Sequence, residues 1–130
     1  MNWKNQRRIL AVHEHLHRIE VARLSKLERE ARELKEEEAR IVGYLDDNRN
    51  MIAIFPEIVL QRLRLNIQQQ QDARRAVEWQ ADIALEQARR VKQAERLVAN
   101  AEKARDRVRA QDDLREIIER ASSRRDISAP

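Results

Sequence analysis

The sequence predicts an all-α protein, two long unequal helices folded back on each other as an antiparallel coiled-coil hairpin. Three observations carry this prediction. Charged residues make up 38% of the chain and aromatics 3%, a balance that suits helices burying a narrow stripe rather than a compact globule. Apolar residues recur at spacings of three and four along most of the chain, which marks one helix face. The single glycine, Gly43, and the single internal proline, Pro56, fall close together, so there is one evident place to turn.

Helix 1 is expected over about residues 4–49. Its seam reads Ile9, Val12, Leu16 and Ile19, then resumes one residue out of phase at Leu24, Leu27, Ala31, Leu34, Ile41 and Leu45. Such a slip near residues 20–23 alters supercoiling without ending a helix. Glu28 with Arg32, and Glu36 with Arg40, add i,i+4 support. Asn48, Arg49 and Asn50 close the helix, and Gly43 loosens its last turns at a cost of about 1 kcal/mol relative to alanine.

A tip over about residues 50–56 follows. It holds the apolar residues Met51, Ile52, Ile54 and Phe55, although the end of a two-helix hairpin has no core to receive them. They either cap the hairpin's own end or form a docking surface for another protein.

Helix 2 is expected over about residues 57–121, with Pro56 suited to a first helical position because its missing N–H has no partner there anyway. Its seam runs through Leu60, Leu63, Ile67, Val77, Ala81, Ala84, Ala88 and Val91. It then slips to Ala94, Val98, Ala101, Ala104 and Val108, and ends with Leu114, Ile117 or Ile118, and Ala121. The many alanines allow close approach but bury little area, and the tail 122–130 is expected to fray. At 1.5 Å per residue the helices are about 70 Å and about 97 Å long, so helix 2 overhangs the start of helix 1 by roughly 20 residues. That overhang carries Val108, Leu114, Ile117 and Ile118, and an apolar stripe on a free helix calls for a partner.

Several function classes are disfavoured. With no cysteine there is neither a disulfide framework nor a thiolate metal site. One glycine cannot build a phosphate-binding loop of the G-x-x-x-x-G-K-[ST] kind. The run His13-Glu14-His15-Leu16-His17 matches H-E-x-x-H, yet a straight helix places the Glu36–Glu38 cluster about 30 Å away, so no third ligand converges. These histidines are expected to be exposed, flanking Leu16. The net charge of +4 and pI near 9.9 admit nucleic acid, but acidic and basic residues alternate without a basic block. No run approaches the roughly 18 apolar residues of a membrane span, and no apolar leader is evident. The expectation is a cytoplasmic, non-enzymatic protein with no cofactor or metal, no nucleic-acid partner and no membrane insertion.

Two stretches resemble a known family. Residues 40–51, "RIVGYLDDNRNM", are similar to the segment ending the first helix of the FliJ family and its injectisome counterpart YscO. Residues 79–97, "WQADIALEQARRVKQAERL", resemble the Trp-containing middle of the family's second helix. The resemblance implies a central stalk of a flagellar or type III protein export apparatus. Its partners would be the export ATPase hexamer, an FlhA-like export-gate membrane protein and export chaperones. It places gate contacts at Glu37, Ile41, Tyr44 and Asn48 on helix 1 and at Val59, Leu63, Asn66 and Gln70 on helix 2. Asn48, Asn66 and Gln70 depart from the family's pattern. It places contacts to the ATPase ring at Val108, Leu114, Ile117 and Ile118. A generic coiled-coil adaptor or chaperone, homodimeric through a shared seam, is the alternative.

Overall fold

The computed structural model describes residues 2–47 and 56–128, with side-chain burial for 2–47 and 57–125. It is an all-α structure of two helices packed against each other, α1 (Trp3–Asp47) and α2 (Pro56–Ser128). The segment expected to fray after Ala121 is helical through Ser128. Asn48 and the tip residues Met51, Ile52, Ile54 and Phe55 lie outside the described residues.

Local chemistry accounts for the ends. Asn2 caps α1, its side-chain Oδ1 accepting from the Asn5 backbone N–H at 2.9 Å, which satisfies one of the donors a helix start leaves open. Pro56 opens α2, and Glu57 in its first turn complements the positive end of the helix dipole. The other end of α1 is less well served. It has no basic residue in its last turn but carries Asp46 and Asp47 against the negative end of the dipole. Gly43 sits within the helix with nothing near the position of an added Cβ, so no close approach there requires glycine.

The chain forms two compact units, one of His15–Ala88 and one of Met1–Glu14 with Arg89–Pro130. Within the first, the antiparallel order is fixed by named contacts. Arg62 approaches Glu37 at 3.9 Å, Asn66 reaches the Leu34 carbonyl, and Gln80 reaches Glu20. The inward row of α1 is His17, Glu20, Leu24, Leu27, Ala31, Leu34, Glu38, Ile41 and Leu45. That of α2 is Val59, Leu63, Asn66, Gln70, Ala73, Val77, Gln80, Ala84 and Gln87. Both rows alternate steps of three and four without interruption, as a 3.5-residue repeat requires.

The phase slip expected near residues 20–23 is therefore absent, since His17, Glu20 and Leu24 keep the rhythm. Leu16, Leu60 and Ile67, expected in the seam, are exposed instead. The reason is that polar side chains occupy inward positions. Asn66 is 1% exposed and Gln70, Gln80 and Gln87 are buried with it.

Asn66, Gln70 and Gln80 bond as follows. Asn66 Nδ2 donates to the Leu34 carbonyl at 3.0 Å. Gln70 Nε2 donates to Asn66 Oδ1 at 2.6 Å and to Glu38 Oε2 at 2.7 Å. Gln80 Nε2 donates to the Glu20 carbonyl at 3.0 Å and to the Glu20 carboxylate. Buried amides are tolerated because these bonds replace water. They also set the register, since a shift of either helix would strand them.

In the second unit the inward rows are Trp3, Gln6, Leu10 and His13 on α1, and Val91, Ala94, Val98, Ala101 and Arg105 on α2. Here too the steps are three and four, with no slip between Val91 and Ala94. Ile9 and Val12, expected in the seam, are exposed. Ala94, at 3% exposure, is small enough to let α1 close over it.

Candidate functional site

The first candidate surface is a groove of about 550 Å³ in the unit His15–Ala88, lined by Glu37, Arg40, Ile41, Tyr44, Ile58, Val59 and Arg62. Spacing explains the α1 share, because Glu37, Arg40, Ile41 and Tyr44 fall at i, i+3, i+4 and i+7 on one face. Ile41 is buried and Val59 half-buried, forming an apolar floor. Tyr44 and Ile58 stand exposed above it. Glu37, half-buried, and Arg62, exposed, approach across the groove, a solvent-screened pair of the kind that contributes about 0–1 kcal/mol. An apolar floor with mixed charges at its rim suits a protein segment presenting an apolar side chain among polar ones.

Of the gate-contact residues implied by resemblance, the groove brings together Glu37, Ile41, Tyr44 and Val59. Leu63 is half-buried in the helix seam, while Asn66 and Gln70 are buried there and hydrogen-bonded. Those last two are thus turned toward the other helix rather than to a docking surface. Arg40, Ile58 and Arg62 complete the lining and were missed. For Arg40 a signal existed, its position four residues before Tyr44, but the charged face to which it belongs is common to the whole helix.

The second candidate surface is the C-terminal part of α2. Trp3, half-buried, has the guanidinium groups of Arg7 and Arg105 at 4.9 Å and 4.3 Å from its ring centre. Trp3 borders a shallow depression with Ala101, Ala104, Arg105 and Val108. Among the described residues its indole N–H and the Gln6 side-chain oxygen are buried without a hydrogen-bond partner, so this end of the seam is less well satisfied than the Asn66–Gln70 ladder. Trp3→Ala removes both cation–π contacts, each about 0.5–1 kcal/mol at an exposed site. The expected result is a loss of about 1–2 kcal/mol, seen as faster amide exchange in residues 3–14, with residues 24–41 unaffected.

Beyond this point every residue from Asp106 to Arg125 is exposed. Continuing the inward row of α2 in the same steps leads from Val108 to Asp112, Arg115, Glu119 and Ser122, all polar. The apolar residues Leu114, Ile118 and Ala121 each precede one of these by a single position, a rotation of about 100° on the helix. The stripe on this segment is therefore a new face and does not prolong the seam. Val108, Leu114, Ile117 and Ile118 are all exposed, Ile117 at 61%.

The remaining sequence features resolve simply. His13 and His17 take inward positions in their respective units and are half-buried, whereas His15 is exposed, so the expected exposure of all three is corrected. No group of three or more metal-ligating side chains converges among the described residues. Trp79, at the start of the second resembling stretch, is 72% exposed. No described helix is long and apolar enough to cross a membrane. In comparison with known proteins, no family model, no curated protein and no solved structure matches the chain.

Proposed function

We propose that the chain is a non-enzymatic stalk of a flagellar or type III protein export apparatus, of the kind its FliJ- and YscO-like segments imply. It would act in the cytoplasm beside the membrane-embedded machinery. The observation that carries the proposal is the form of α2. It pairs with α1 through Arg105 and then continues as a helix with every side chain from Asp106 to Arg125 exposed, bearing Leu114, Ile117 and Ile118 on a face of its own. A paired helix that ends in a single apolar-striped helix is suited to insertion into a ring-shaped partner.

In this role the export ATPase hexamer holds Val108, Leu114, Ile117 and Ile118. The groove formed by Glu37, Ile41, Tyr44 and Val59 meets the export-gate membrane protein, and export chaperones bind along the paired helices. The chain itself couples movement by binding, and ATP hydrolysis belongs to the partner. Mixed charge along the helices favours this use, because alternating signs leave no sticky stripe on the shaft.

A pull-down with the cognate export ATPase tests the proposal. Wild-type chain is expected to be retained. The Leu114→Asp/Ile118→Asp variant, whose two sites are exposed and so tolerate the change, is expected to be lost while its helical signal is kept. Equal retention of the two would remove the ring contact from this face.

A further inference from the structure

We propose that the C-terminal face of α2 also pairs with the same face of a second copy of this chain, the two helices running antiparallel. This goes beyond the stalk proposal and concerns the protein when no other partner holds that face.

Leu114, Ile117 and Ile118 are each more than half exposed, and with Ala121 they span about two helical turns. They stand on a face that the continued α2 seam does not use, so a helix approaching as α1 does would leave them uncovered. An amphipathic stripe of this length is best covered by another helix.

Charge selects which helix, and in which direction. Asp113 lies at the N-terminal end of the stripe and Arg124 at its C-terminal end. They are about three full turns apart and so share one flank. In an antiparallel pair like flanks face each other, and a two-fold axis passing between Ile118 and Glu119 sets Asp113 of each copy against Arg124 of the other. The two-fold axis makes that contact twice. In a parallel pair the same flank would meet the opposite one, where Arg115 could meet Asp113 but Gln111, Arg115 and Ser122 offer no carboxylate to Arg124, so one contact is lost. Glu116 and Arg120 already face each other along the helix at 4.0 Å and do not oppose the arrangement.

The contact is small, within the size class of transient interfaces, so it forms at high protein concentration and gives way to a tighter partner. Because Leu114, Ile117 and Ile118 are covered in the pair, self-association and ring binding would compete.

Sedimentation equilibrium on the full chain alone, from micromolar to millimolar concentration, tests the inference. The weight-average mass is expected to rise from 15.5 kDa toward twice that value. Asp113→Lys and Arg124→Glu should each weaken association by roughly tenfold to a hundredfold, because two attractive pairs become repulsive. An equimolar mixture of the two variants should recover it, since each then supplies the charge the other lacks. Leu114→Asp/Ile118→Asp should abolish it with helical content unchanged. A wild-type chain that stays at 15.5 kDa throughout would overturn the inference. So would association that neither the charge changes nor the aspartates weaken. The ATPase is absent from this experiment, so a negative result leaves the stalk proposal standing.

Discussion

Ile41→Ala is expected to lower the stability of the unit His15–Ala88 by about 2–3 kcal/mol, the low end for truncating a buried isoleucine. Ile41 is among the few buried apolar side chains of the described residues, so it contributes a large share of a sparse core. The low end applies because the site borders an open groove, where Tyr44, Ile58 and Val59 can settle into the space. Urea unfolding followed by circular dichroism checks this, with a lower midpoint at an unchanged slope as the expected result. A midpoint within error of wild type would mean that the floor of the groove contributes nothing to the pairing of the helices.

The second large effect changes sign with the substitution chosen. Asn66→Ala is expected to cost about 1–3 kcal/mol, because Gln70 loses one of its two acceptors inside the seam and a small cavity remains. Asn66→Leu combined with Gln70→Leu is expected to raise stability instead. It gives up bonds worth about 1 kcal/mol each and buries side chains worth about 1.5–3 kcal/mol each.

The doubly apolar variant should pay in specificity, because a buried polar residue in a helix seam fixes register and apolar replacements tolerate sliding. Disulfide trapping separates stability from register, since the chain has no native cysteine. One cysteine at Glu37 and one at Arg62, its neighbour across the helices, or instead at Gln69, seven residues further on, would report alternative alignments. Wild type should favour a single alignment, and the leucine variant should populate more than one. A leucine variant that is both less stable and singly aligned would contradict this account of the ladder.

The sequence made the hairpin legible because its breakers are concentrated. Pro56 opens α2 as expected, and an uninterrupted helical rhythm on each side of the turn leaves few alternatives. The phase of the seam was harder to see. A search for apolar residues finds Ile9, Val12 and Leu16 and takes them as the inward row, yet they are exposed. The inward positions over that stretch belong to Leu10, His13 and His17, and further on to Glu20. Geometry imposes this: a helix continuing at 3.5 residues per turn from Leu24 back to Trp3 must pass through those residues.

Likewise on α2, Asn66, Gln70, Gln80 and Gln87 keep the rhythm that Leu60 and Ile67 appeared to carry. Glutamine and asparagine are hard to assign from composition because the same side chain serves a solvated face or a bonded seam. Gln70 is buried, for example, whereas its neighbours Gln68, Gln69 and Gln71 are exposed. Of the candidate docking residues, Glu37, Ile41 and Tyr44 came from the resemblance to the FliJ family, and their helical spacing sets them on one face. Their α2 partners Ile58 and Arg62 depend on the register of two helices, which no local pattern encodes.

The measurement that bears most directly on the central claim is steady-state ATP turnover by the cognate export ATPase, titrated with this chain. Wild type is expected to raise turnover to a plateau, and Leu114→Asp/Ile118→Asp, folded and helical, to leave it at the basal rate. A folded wild-type chain that leaves turnover unchanged at every concentration would contradict the stalk proposal.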